Sequence, residues 1–400
     1  MKVLFVCEGF NRVSVVAQPW RHIYEIAKRM KPLGHEVKIL TDLANNSPRD
    51  ESINGIHVRR VEKFFIFFKF EKLIEALDEE DADIINWFGG PLSTLYFSRM
   101  EKSFRQKIIW NMYKGKMTFN DFRNLNFAER VSLLTDVQYI YSIVPNFLVK
   151  RGSMSSRVSL IIVWSKRLKK YLQDIGVNSD KITVVPSGVD VESFKPSSNV
   201  ATHDIKMKLG LSPRDQVVLY FGSLSSFRGL DVLVSAMNNV LERNVDAKLV
   251  VLARDLDPHG IDKFLRNAKK RDRIVTVSGI LSQSDIEKFL SISDLVVLPF
   301  KSWPHQEVPL TILEAMSMGK VVISTTIPQV LEIVENNITG ILIPPNRPDL
   351  LGQKIIGVLS NKDKYMRMSK AASNYVERKH GWDNVLKDTL EIFENASKTP

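Results

Sequence analysis

Cysteine is almost absent, Cys7 being the single one in 400 residues. One thiol excludes a disulfide framework and any metal site built from several cysteines, and it fits a reducing compartment. Long apolar runs are missing as well. Val3-Leu4-Phe5-Val6-Cys7 meets Glu8 before it reaches the length of a signal-peptide core, and no run approaches the ~18 apolar residues of a membrane span. There is no internal repeat, no low-complexity tract and no nucleic-acid-binding motif, and histidines such as His22, His35 and His305 stand singly, suggesting no triad. No His, Asp and Glu group has metal-ligand spacing, so no metal or cofactor is expected. A cytoplasmic globular protein is the expectation. Positive charge, in contrast, is in excess: 56 Lys and Arg against 45 Asp and Glu give +11, which favours anionic partners. The charges are spread along the chain, so phosphate-bearing small molecules or an acidic membrane surface fit better than nucleic acid.

Short β-branched runs alternate with helical periods from end to end. Val3–Cys7, Glu36–Thr41, His57–Val61, Asp83–Trp87, Ile108–Met112 and Leu160–Trp164 read as strands. So do Val217–Phe221, Lys248–Leu252, Arg273–Val277, Leu295–Pro299, Lys320–Ser324 and Gly340–Ile343. Several are apolar on both faces, as parallel strands covered by helices on each side must be. The pattern is α/β, a doubly wound sheet occurring twice, which suits a chain too long for one core. Between the two series, Pro186-Ser187-Gly188-Val189-Asp190 through Phe194-Lys195-Pro196-Ser197-Ser198-Asn199 reads as a linker. The expected domains are 1–190 and 191–374, followed by a helical tail, 375–400. Ligands of open parallel sheets sit outside the carboxyl ends of the strands, so two such domains predict a cleft between them.

Two stretches carry chemistry. In Phe221-Gly222-Ser223-Leu224-Ser225-Ser226-Phe227-Arg228-Gly229 a strand ends, a Gly/Ser loop turns and a cation stands before an amphipathic helix. Free backbone N–H groups, the positive end of the helix dipole and a guanidinium make a site for phosphate oxygens. A plain strand-to-helix connection with a solvated arginine is the alternative. In Gln306-Glu307-Val308-Pro309-Leu310-Thr311-Ile312-Leu313-Glu314-Ala315-Met316, closed by Gly319, Leu310 or Thr311 opens a short helix with Glu314 about one turn in. A carboxylate among apolar neighbours needs partners, because an unpaired buried charge is costly. Ligand hydroxyls would serve, and so would nearby backbone.

Pro309-Leu310-Thr311-Ile312-Leu313-Glu314-Ala315-Met316 with Gly319-Lys320-Val321-Val322 resembles the retaining glycosyltransferases of family 4. Val185-Pro186-Ser187-Gly188-Val189-Asp190, Gly222-Ser223-Leu224 with Arg228-Gly229, Ser293-Asp294-Leu295-Val296-Val297-Leu298-Pro299 and Gly340-Ile341-Leu342-Ile343-Pro344 match in the same order. The resemblance implies the GT-B fold, two Rossmann-like domains facing across a cleft. It also implies transfer of a hexose-type sugar from a nucleotide-diphosphate donor to a glycan or lipid-linked acceptor, with retention, as in polysaccharide or glycolipid biosynthesis. The second domain would hold the donor, the first the acceptor, and the final helix would cross back to the first. Arg228 would bind the diphosphate and Glu314 the ribose hydroxyls. Gly222, Ser223, Val308, Pro309, Leu310 and Thr311 would line the donor, and Gly279 and Ile280 would flank the base.

The sequence departs from the family in places. The first of two glutamates falls on Gln306, with Glu307 displaced by one. Either Gln306 suffices, or Glu307 replaces it through a local shift, or turnover is impaired. Ser223 stands where many relatives have arginine, and Arg254 either restores that charge or pairs with Asp255 or Asp257. The first loop, Glu8-Gly9-Phe10-Asn11-Arg12-Val13-Ser14, has one glycine. Gly9, Asn86 and Asn111 are the acceptor-side candidates. A sugar-nucleotide epimerase on the same fold and a non-catalytic sugar-nucleotide-binding subunit are the alternatives.

Phe64-Phe65-Ile66-Phe67-Phe68-Lys69-Phe70 lies among Arg59, Arg60, Lys63 and Lys72. Such a basic, aromatic segment, residues 59–72, either docks peripherally on an anionic membrane surface at its inner face or forms an aromatic core element.

Overall fold

The structure, a computed structural model, describes residues 1–398 except 17, 44–46, 65–66, 105, 116–126, 128–129, 131–143, 197–201, 245, 254–259, 280–281 and 303–307. Every run read above as a strand is one, with ends displaced by a residue or two, and the strands form two separate sheets.

The first sheet is built from β1 (Lys2–Val6), β2 (Glu36–Asp42), β3 (Asp50–Ile53), β4 (Ile56–Val61), β7 (Ile84–Phe88), β8 (Ile108–Met112), β9 (Val158–Val163) and β10 (Ile182–Val184). Its order is β10-β9-β8-β7-β1-β2-β4-β3, and only β3 runs antiparallel to its neighbour. A separate two-stranded ribbon pairs β5 (Lys63–Phe64) with β6 (Phe67–Phe68). Helices of eight or more described residues in this lobe are α1 (Trp20–Met30), α2 (Phe70–Glu79), α3 (Ser93–Ser103), α4 (Asn146–Ser153) and α5 (Lys166–Asp174). Both faces of the sheet are buried, as its strands require. Leu4, Val6, Trp87 and Trp110 belong to one core, whereas Val3, Phe5, Ile23 and Trp164 belong to the other, the alternation a pleated strand imposes.

The second sheet is wholly parallel. It holds β11 (Gln216–Gly222), β12 (Ala247–Ala253), β13 (Ile274–Ser278), β14 (Leu295–Leu298), β15 (Val322–Thr325) and β16 (Ile341–Ile343) in the order β13-β12-β11-β14-β15-β16. Around it lie α6 (Leu230–Arg243), α7 (Gln283–Ile292), α8 (Leu310–Ser317), α9 (Pro348–Ser360) and α10 (Lys362–His380). Leu230, Leu233, Val234, Met237 and Leu241, the stripe of α6, are all buried in this lobe's core.

The chain ends with α11 (Trp382–Ser397), which departs from α10 at Gly381 and returns to the first lobe. Met368, Ala372 and Val376 of α10 stay in the second lobe's core, but Trp382, Val385, Leu386 and Phe393 of α11 pack with Phe5 and Ile23. Gly188 of the linker permits this return, since a Cβ there would stand 2.3 Å from the Trp382 ring. Val189 N–H donates to the His380 carbonyl at 2.7 Å, and the His380 ring bonds the Ser187 carbonyl through Nδ1 at 3.1 Å. A second joint lies at α5, whose first amides, Lys166 N–H and Arg167 N–H, donate to the Glu332 carboxylate of the second lobe at 2.8 and 3.0 Å. That carboxylate satisfies two orphan donors and suits the positive helix end.

Candidate active site

The phosphate-binding stretch is laid out by two glycines. β11 ends on Gly222 at φ +144°, and a Cβ there would fall 2.4 Å from Arg228 Nη2 and 2.6 Å from Cζ. The guanidinium therefore lies directly on the backbone at the strand end. Residues 226–228 make one tight turn, Gly229 takes a left-handed conformation at φ +75°, and α6 begins. Gly229 also allows close approach to the next loop, since a Cβ there would meet the Pro299 carbonyl oxygen at 2.0 Å. Lys301 N–H closes the pair of loops by donating to Phe227 O at 2.9 Å.

Arg228 is 7% exposed, sits over the Phe300 ring at 5.2 Å and donates from Nη2 to Thr311 Oγ1 at 3.2 Å. Thr311 lies in the first turn of α8, and Glu314 follows one turn later on the same side. Gly319, at φ +64°, ends that segment as expected. Val308 and Pro309 are buried just before the helix, and Leu310 is half-buried. A fixed cation, a helix start and a buried carboxylate thus stand together at the carboxyl ends of β11 and β14. This set can hold a phosphate group at one end and hydroxyls at the other.

Glu314, 2% exposed, is reached from the first lobe. Arg21, in the first turn of α1, places Nη1 3.4 Å from Glu314 Oε1 and donates from Nη2 to Gln283 Oε1 at 2.9 Å. Gln283 opens α7 and donates in turn to Asp190 Oδ2 of the linker at 3.4 Å. Neither Arg21 nor Gln283 was singled out in the sequence. A contact across 293 positions leaves no local signal in the sequence.

The remaining candidates are placed as follows. Ser223 is half-buried, its hydroxyl 3.1 Å from that of Ser225. Gly279, at φ +140°, follows the end of β13 with open space where a Cβ would be. Gly9, at φ +74°, carries the Trp20 ring, whose Nε1 donates to Glu8 O at 2.6 Å. Asn86 is the middle residue of β7 and Asn111 the next to last of β8; both are buried, 1% and 2% exposed, beside Phe5, Ile109 and Ile162 in the sheet. Arg254, Ile280, Gln306 and Glu307 lie outside the described residues, as does His305. His22 is buried in the first lobe's core, where it stacks on Trp164 at 4.6 Å and meets Trp382 edge-on at 5.3 Å.

The cations of segment 59–72 are committed to carboxylates. Arg59 pairs with Glu79 and Glu80, Arg60 with Glu51, Lys63 with Asp42, Lys69 with Glu62 and Lys72 with Glu75. Phe70 packs against the first lobe's core beneath Arg99, and residues 65 and 66 lie outside the described residues. Among the described residues no helix is long and apolar enough to cross a membrane, and no three His, Cys, Asp or Glu side chains are grouped to hold a metal ion.

Comparison with known proteins agrees with this geometry. Residues 20–193 match the family described as Glycosyltransferase Family 4, and residues 202–375 match Glycosyl transferases group 1. An uncharacterised glycosyltransferase of Methanocaldococcus jannaschii is 22% identical over 395 residues, covering 94% of this chain and 93% of its own length. Sucrose-phosphate synthase from Thermosynechococcus elongatus superposes with a TM-score of 0.76 at 17% identity, over 98% of both chains. HepE of Anabaena, in complex with UDP and glucose, superposes at 0.73 and 16% identity, over 98% of this chain and 99% of its own. Two parallel α/β lobes, a cation laid on a strand-end glycine and matches spanning both lobes agree: the chain is a glycosyltransferase of group 1, family 4, with the GT-B fold.

Proposed function

We propose that this glycosyltransferase moves a sugar from a nucleotide-diphosphate donor to a glycan or lipid-linked acceptor, with retention at the anomeric carbon. One observation carries the reading: Arg228, laid on Gly222 at the start of α6, touches Thr311 one turn from Glu314. A diphosphate at Arg228 would leave its ribose within reach of α8, and HepE, a structural neighbour, binds UDP and glucose.

The bond from the anomeric carbon to the phosphate oxygen breaks, and the electron pair leaves with the diphosphate. Arg228 and the first N–H groups of α6 meet that growing negative charge. The acceptor hydroxyl attacks from the face the diphosphate vacates, and its proton passes to a phosphate oxygen, so no protein base is needed. An arginine already on the phosphates makes a divalent metal dispensable. Membrane docking through residues 59–72 is not part of the reading, because the cations there are already paired.

Thermal-shift screening of sugar nucleotides, followed by detection of released nucleoside diphosphate with and without glycan acceptors, tests it. A ligand at 100 times its dissociation constant stabilises by about 2.7 kcal/mol, a readable shift. Arg228→Ala should remove turnover by roughly 100–1,000-fold. Unchanged turnover in that variant, or no sugar nucleotide stabilising the wild type, would refute the assignment.

A further inference from the structure

We propose that Arg21, contributed by the first lobe, is a positioning residue that orients Glu314 for the donor's ribose and so makes ribonucleotide recognition depend on both lobes; this rests on the donor reading above. The start of α1 is pinned on both sides of Arg21. Trp20 packs on Gly9, where a Cβ would meet its ring at 3.1 Å, and bonds Glu8 O at 2.6 Å. His22 is stacked on Trp164 in the core. With both neighbours fixed in the first lobe, the side chain between them leaves in a set direction, toward the second lobe.

There it forks. Nη1 is 3.4 Å from Glu314 Oε1 and Nη2 is 2.9 Å from Gln283 Oε1. The two side chains of the ion pair are 12% and 3% exposed. A carboxylate so deeply placed is costly without a partner, and a guanidinium engaged by two acceptors holds one orientation. A carboxylate offers about four lone-pair positions, so holding Oε1 fixes the plane in which Oε2 can accept from a vicinal diol. The ligand class is therefore a ribonucleoside diphosphate, distinguished from its 2′,3′-dideoxy counterpart. The contact joins α1 of the first lobe to α8 of the second, so the diol is read by groups from both lobes together.

Calorimetric titration of the full chain with UDP, GDP and ADP, and with the dideoxy form of whichever binds, tests this on wild type, Arg21→Ala, Arg21→Lys, Glu314→Gln and Arg21→Ala/Glu314→Gln. Arg21→Ala is expected to weaken the ribonucleotide about tenfold, as loss of a charged hydrogen-bond partner does. It should leave the dideoxy form unchanged and add nothing in the Glu314→Gln background. Arg21→Lys, which keeps the charge without the fork, should restore part of the loss, and it carries the ribose-against-dideoxy comparison if Arg21→Ala does not fold. Equal or tighter ribonucleotide binding by the Arg21 variants, or equal losses for the ribo and dideoxy forms, overturns the role. A wild type that binds none of the three overturns the donor reading and this inference with it.

Discussion

Arg228 rests on Gly222 so closely that a single methyl group at position 222 would stand 2.4 Å from its Nη2 atom. The cation's position is therefore set by the absence of a side chain six residues earlier, at a φ of +144° that other residues rarely adopt.

Gly222→Ala tests that dependence while leaving the arginine itself in the sequence. The new Cβ must push Arg228 away from the strand end, and the backbone strain costs about 1–3 kcal/mol. Diphosphate affinity is expected to fall at least as far as stability does, read by calorimetry beside a thermal melt. A variant that is destabilised yet binds nucleoside diphosphates normally would show that the site does not use this contact.

Trp382 joins the final helix to the linker through Gly188 and to the first lobe through His22. It is 2% exposed, so Trp382→Ala should lower the stability of the first lobe by about 3–5 kcal/mol through the cavity it leaves. Denaturant unfolding followed in the full chain checks it. An unchanged midpoint would mean that α11 is not held by this ring.

Acid should weaken the fold through two histidines. Burial lowers His22 from 6.5 to about 3 and His380 from 6.5 to about 4. Because the folded values lie below the unfolded one, the unfolded chain takes up protons first. Stability is complete above about pH 6.5 and is lost progressively as pH falls toward the folded values. At pH 5 each histidine accounts for about 2 kcal/mol. His22→Phe keeps a ring against Trp164 and should shrink the loss between pH 7 and pH 5 by that amount, read by denaturant titration at the two pH values; a slope equal to the wild type's contradicts it.

Chelation gives a different check. With Arg228 on the phosphates, excess EDTA should leave most of the transfer rate intact, measured as nucleoside diphosphate released. Complete loss, regained with magnesium or manganese, would contradict a metal-independent reaction.

The doubled sheet was legible because its strands are apolar on both faces, a composition that few other environments accept. The strands missed are those without that signature: Asp50–Ile53, polar and at the sheet's edge, the two-residue pieces of the 63–68 ribbon, and the three-residue Ile182–Val184. Edge strands bury less and alternate less, so pattern alone does not reveal them. Within the site, Gly222, Arg228, Thr311 and Glu314 could be read because each lies in a local strand-turn-helix signature. Arg21 was missed because its partners, Gln283 and Glu314, stand in the other lobe, 262 and 293 positions along the chain.

The central claim is that the second lobe grips a diphosphate between Arg228 and the first turn of α6, with Glu314 on the ribose. A crystal structure of the chain with the nucleoside diphosphate that stabilises it most tests this directly. The account predicts phosphate oxygens at about 3 Å from the Arg228 guanidinium and from N–H groups at the start of α6, with both ribose hydroxyls bonded to the Glu314 carboxylate. A diphosphate bound elsewhere, or one seated there with Glu314 turned from the ribose, would contradict it.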